Sequence, residues 1–76
     1  MILYRVREEA TRLGLTPSAL LRRAGISATV GMKMLHGTAN GKPDGPAITS
    51  IHVPSLLALA KATGKDPLEL LEYREN

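Results

Sequence analysis

The sequence predicts an all-α domain of five helices, with a long loop between the third and the fourth. Three observations carry that prediction. Apolar residues recur at spacings of three and four through most of the chain, which puts them on one side of a 3.6-residue helix. Thr16-Pro17, Ser27, Gly37, Gly64 and Asp66-Pro67 stand where such helices would start and stop. The chain has no Cys, no Phe and no Trp, so its core is aliphatic, a composition that packed helices favour.

The first helix is expected from Ile2 to Leu13, with Ile2, Val6, Ala10 and Leu13 on one face and Arg5, Glu8, Glu9 and Arg12 outside. Glu8 and Arg12 are spaced for an i,i+4 pair, worth at most a few tenths of a kcal/mol. In the second helix Thr16 is the N-cap and Pro17 takes the first position, where a missing N–H costs nothing. Leu20, Leu21 and Ala24 form its packing face. Gly25 suits a sharp exit, Ile26 plugs the gap between helices, and Ser27 caps the third helix.

In that third helix Val30, Gly31, Met34 and Leu35 fall on one side, and Thr29, Met32, Lys33 and His36 on the other. An interior Gly costs about 1 kcal/mol relative to Ala, so Gly31 implies that something packs close against it. Gly37 ends the helix.

Residues 38–52 form the loop, longer than the roughly 2 to 8 residues that usually join packed helices. Asn40-Gly41 and Asp44-Gly45 are turn dipeptides. Ile48 and Ile51 are placed to pin the returning arm. The fourth helix runs from Val53 to Thr63, with Val53, Leu56, Leu57 and Ala60 facing inward and Gly64 as its stop. Asp66 caps a fifth helix that begins at Pro67 and closes the core with Leu68 and Leu71. The tail Tyr73-Arg74-Glu75-Asn76 is expected to fray.

Residues 16 to 37 read Thr-Pro-Ser-Ala-Leu-Leu-Arg-Arg-Ala-Gly-Ile-Ser-Ala-Thr-Val-Gly-Met-Lys-Met-Leu-His-Gly. Two helices joined by a tight Gly turn are a DNA-reading arrangement; the same residues also suit a plain amphipathic hairpin in a small bundle. The segment resembles the helix-turn-helix of the phage-repressor (Cro-like, Xre) family. There a Thr-Gln-x-x-Leu-Ala start leads to Ala-Gly-Ile-Ser and a recognition helix ending in Gly. Gly14-Leu15-Thr16 resembles the end of the family's first helix, and residues 59 to 71 resemble its last two.

Three features depart from the family pattern. Pro17 replaces a Gln that often contacts DNA. Leu21 and Gly31 replace a small and a β-branched residue that pack together, a swap that keeps total volume. The third departure is the insert at 38–52.

The resemblance implies one repressor-type helix-turn-helix domain over residues 1–76, with its third helix in the major groove of double-stranded DNA. Ala28, Thr29, Met32 and Lys33 would then lie nearest the bases, and Ser18, Arg22, Thr38 and Lys42 would hold phosphates. It further implies a transcriptional regulator, a repressor, and a homodimer on a palindromic site. The reading set contains no Gln, Asn or Arg, so part of the specificity would come from DNA shape. The competing reading is a protein-interaction module, antitoxin-like or an accessory subunit, that binds a protein partner through the 38–52 loop.

Charge agrees with the first reading. The net formal charge is +3, and residues 1 to 43 hold Arg5, Arg7, Arg12, Arg22, Arg23, Lys33 and Lys42 against Glu8 and Glu9. A basic excess beside the helix-turn-helix suits phosphate contacts, and equally suits a solvated surface.

Other classes lack parts. His36 and His52 are the only histidines and Cys is absent, so no metal or cofactor is expected. No Ser, His and acid arrangement suggests catalysis. Gly37 to Lys42 has three residues between its glycines and Pro43 after the Lys, which a phosphate-binding loop would not. No stretch reaches the roughly 20 apolar residues of a membrane span, and the chain is expected to be cytoplasmic.

Overall fold

The computed structural model describes residues 1 to 74. In chain order the elements are β1 (Ile2–Tyr4), α1 (Val6–Arg12), α2 (Pro17–Arg23), α3 (Ala28–His36), α4 (Val53–Thr63), a 3-10 turn (Pro67–Leu70) and β2 (Leu71–Tyr73). The central helices follow their punctuation. The Thr16 hydroxyl accepts from the Ala19 N–H at 3.1 Å, and the Ser27 hydroxyl accepts from the Val30 N–H at 3.3 Å. Each satisfies a donor the first helical turn leaves open. Gly25 turns the chain between α2 and α3 at φ 75°.

Gly37 closes α3 at φ 67°. A Cβ there would lie 2.6 Å from Leu3 Cδ2 and 2.8 Å from the Ile2 carbonyl oxygen. Only glycine fits that backbone and that space together.

The expected all-α, five-helix domain does not hold, because the first helix loses its opening residues to a strand and the fifth is replaced. Among the described residues there are four α-helices and a two-stranded antiparallel sheet. Ile2, Leu3 and Tyr4 form β1 instead of opening α1. They pair with β2 in the register Ile2 to Tyr73, Leu3 to Glu72 and Tyr4 to Leu71. The fifth helix is one 3-10 turn, capped by Asp66 as expected through a 2.9 Å bond to the Leu68 N–H. Leu71 then takes extended angles, φ −104° and ψ 144°, and leads into β2.

The physical reason is shared: a segment of three residues is too short to show a period of its own, and pairing with a distant partner decides its state. The tail is likewise tied down as far as Arg74, whose N–H donates to the Met1 carbonyl at 2.9 Å. Glu75 and Asn76 lie outside the described residues.

The core gathers Tyr4 of β1, Val6 and Ala10 of α1, Leu20 and Leu21 of α2, Met34 of α3, Leu56, Leu59 and Ala60 of α4, and Leu70. Burying a Leu fully is worth about 1.5 to 3 kcal/mol, and Leu20, Leu59 and Leu70 are all buried to 0% exposure. Leu70 takes the place expected of Leu68, which is 79% exposed. On α4 the inward row is Leu56, Leu59 and Ala60, while Val53 and Leu57 face outward. One residue of offset separates the two rows, and both are apolar.

The Glu8–Arg12 pair is also replaced. Arg12 donates through Nε (3.0 Å) and Nη2 (2.7 Å) to Glu9 Oε1, and through Nη2 to the Thr63 carbonyl at 2.8 Å. Glu9, expected outside, is buried; it holds the Arg12 guanidinium, whose bond to Thr63 ties α1 to the last turn of α4. The hydrogen bond to Glu9 raises the Arg12 pKa above its already high ordinary value.

Candidate nucleic-acid interface

α2 and α3 meet through the Leu21–Gly31 contact. A Cβ on Gly31 would lie 2.9 Å from Leu21 Cδ1, so the absence of a side chain lets the helices approach. That approach leaves a cleft of about 270 Å³ between their outer faces, lined by Ser18, Leu21, Arg22, Ile26, Ala28 and Met32. Four of the eight sequence-predicted residues, Ser18, Arg22, Ala28 and Met32, thus share one surface feature. Thr29 is exposed on the same helix, and Met32 is 41% exposed.

Lys33 sits differently. It is half-buried and lines a second cleft, of about 480 Å³, between α3 and the arm at 48–52. Lys42 is exposed on the insert. Thr38 is not at the surface: it is 0% exposed, and its hydroxyl donates to the Lys42 carbonyl at 2.7 Å. Its backbone N–H donates to the Lys33 carbonyl at 3.3 Å, so both donors of Thr38, expected to hold phosphate through the backbone after Gly37, are used within the protein.

The insert is built rather than slack. Thr38 and Ala47 form an antiparallel bridge. The Ala39 N–H donates to the Pro46 carbonyl at 2.8 Å, and the Ile48 N–H to the Gly37 carbonyl at 3.0 Å. Asn40 Oδ1 accepts from the Lys42 N–H at 2.9 Å, the local bond that makes Asn a turn former. The resulting hairpin lies back on α3: a Cβ on Gly41 would come within 3.3 Å of Met32 Cβ and 3.6 Å of the Lys33 nitrogen.

Gly41 is the site residue that sequence reasoning missed. The Asn40-Gly41 dipeptide announces a turn, but not that the turn lands on Met32 and Lys33 of α3. Ile26 and Leu21, which floor the α2–α3 cleft, were legible only as core.

The electrostatics are one-sided. Ion pairs among the described residues join Arg12 to Glu9, Lys65 to Glu69 and Arg74 to Glu72. Among those residues Arg22, Arg23, Lys33 and Lys42 stand in none, and the one carboxylate on the α2, α3 and insert segments is the exposed Asp44 of the insert. No helix among the described residues is long and apolar enough to cross a membrane. No family model, curated protein or solved structure matches the chain.

Proposed function

We propose that the chain binds double-stranded DNA sequence-specifically, with α3 in the major groove, and acts as a transcriptional regulator of the repressor kind. The observation that carries this reading is the α2–α3 surface itself. Ser18 and Arg22 face Ala28 and Met32 across one cleft, Thr29 is exposed beside them, and Arg22, Arg23 and Lys42 supply unpaired positive charge. The resemblance of residues 16 to 37 to the phage-repressor helix-turn-helix supports it from the sequence side.

On this reading the Ala28 and Thr29 methyls meet thymine methyls, and Lys33 donates to guanine O6 or N7. Ser18, Arg22 and Lys42 hold phosphates. The short reading set makes groove shape part of the specificity. The site of action is then the cytoplasm, and the family pattern suggests a homodimer on a palindromic operator.

Selection of duplexes from a random library, followed by titration at several salt concentrations, tests the proposal. Lys33→Ala should weaken the preferred site by about 1 to 3 kcal/mol and relax base preference. Arg22→Ala should weaken all duplexes alike and lower the salt slope by about one. Lys61→Ala, on α4, should do neither. Folded variants that leave DNA affinity unchanged would replace this reading with the second one, a protein-interaction module. The observation favouring that second reading is the ordered 38–47 hairpin laid against Met32 and Lys33.

A further inference from the structure

The cleft between α3 and the arm at 48–52 has a wall chemistry that DNA binding leaves unused. Tyr4, Val30, Met34 and Ile48 make its floor apolar, and Ile51, 41% exposed, stands at its rim. Lys33 is the one Lys or Arg among its lining residues, and no Asp or Glu lines it. Thr49, Ser50 and Ile51, exposed residues that also line the cleft, have backbone N–H groups with no acceptor among the described residues, whereas those of Ile48 and His52 are used by Gly37 and Tyr4. Its volume of about 480 Å³ lies within the usual range for small-molecule sites, which pair an apolar lining with a few placed polar groups.

A cation lining the same cleft as three unused backbone donors, with no carboxylate among the lining residues to compete, favours a negatively charged group. The apolar floor selects a hydrocarbon body next to it. We propose that this cleft binds a small amphipathic carboxylate. The head engages Lys33 and the amides of Thr49 to Ile51, and the body lies on Ile48, Ile51 and Met34. If α3 reads DNA, which rests on the function proposed above, one lysine cannot serve both ligands. The carboxylate then acts as an effector that lowers DNA affinity.

Octanoate is the probe, with octanol as its neutral match. In a ¹⁵N-resolved NMR titration of the whole chain, octanoate should give saturable shifts at Lys33 and residues 48–52. Octanol should bind about tenfold more weakly, the loss expected for one charge-assisted hydrogen bond. Lys33→Gln should lower octanoate affinity by a similar factor and Lys33→Arg should retain most of it, while Lys42→Gln leaves it unchanged. Should Lys33→Gln fail to fold, Ile51→Asp places a like charge at the half-exposed rim and should abolish binding.

Equal affinity for octanoate and octanol, shifts away from 48–52, or no saturation in the millimolar range overturns the assignment. A labelled duplex separates the two readings. Saturating octanoate should weaken DNA binding where octanol does not, and unchanged DNA affinity overturns the effector role. A chain that takes up octanoate but no duplex keeps the cleft assignment and loses the DNA-binding function instead.

Discussion

Gly31 is glycine because Leu21 occupies the space where its side chain would be. The atom in the way is the end of a flexible side chain, so Gly31→Ala should be nearly neutral: a small packing cost is offset by about 1 kcal/mol of helix propensity. Gly31→Ile should instead cost about 1 to 3 kcal/mol by overpacking, and Leu21→Ala in the same chain should recover part of it. Melting temperatures of the single and double variants check this, and strictly additive changes would show that the residues do not interact. That something packs against Gly31 was legible because a glycine inside a helix weakens it; that the neighbour is Leu21 was implied by the family resemblance alone. Arg12 was legible only in half. Glu8 and Glu9 stand four and three residues before it, and the sequence does not say which side of α1 the end of α4 covers. Arg12→Ala should lower the melting temperature more than Arg7→Ala, since it leaves the buried Glu9 carboxylate and the Thr63 carbonyl without their donor. The raised Arg12 pKa means that this contribution is complete below the ordinary arginine pKa and fades only as pH rises through the higher folded value. Neutral pH therefore does not modulate it.

At the scale of elements, α2, α3 and α4 were readable because local bonds define them. Thr16, Ser27 and Gly37 are caps whose geometry depends on residues within four positions. β1, β2 and the 38–47 hairpin depend on partners that the local sequence does not show. The hairpin's own keystone is the fully buried Thr38, whose hydroxyl bonds the carbonyl of the exposed Lys42. Thr38→Val keeps the shape and removes the bond, and should cost about 1 to 3 kcal/mol for the acceptor left unsatisfied. Replacing residues 39 to 46 by a short Gly linker should leave the helical circular dichroism almost unchanged, because α3 and α4 are held by the core. It should nonetheless weaken DNA binding, since Gly41 no longer backs Met32 and Lys33. Unchanged affinity in the shortened, folded chain would make the hairpin a passive insertion.

The whole molecule is closed by a sheet that takes the opening residues of the expected first helix and the end of the expected fifth. It takes its strands from the two extremes of the described chain, and beyond the paired strands the Met1 amine donates to the Arg74 carbonyl at 2.7 Å, 73 positions away. Its effect on the functional surface is direct: Leu3 and the Ile2 carbonyl press against Gly37, the residue that ends α3. Gly37→Ala should therefore destabilise the fold by more than about 1 kcal/mol, through its left-handed angle and through the clash; a melting temperature equal to that of the parent chain would refute it. The same closure has a kinetic consequence. Joining the extremes closes the longest loop the chain contains, an entropic cost that grows with loop length, while α1 to α4 fold through short-range contacts. The strands should then zip after the rate-limiting barrier, so that Leu3→Ala and Leu71→Ala change the unfolding rate far more than the folding rate, with φ-values near zero. The sheet acts as a latch: it sets how long the native state lasts, and the helices set how quickly it forms.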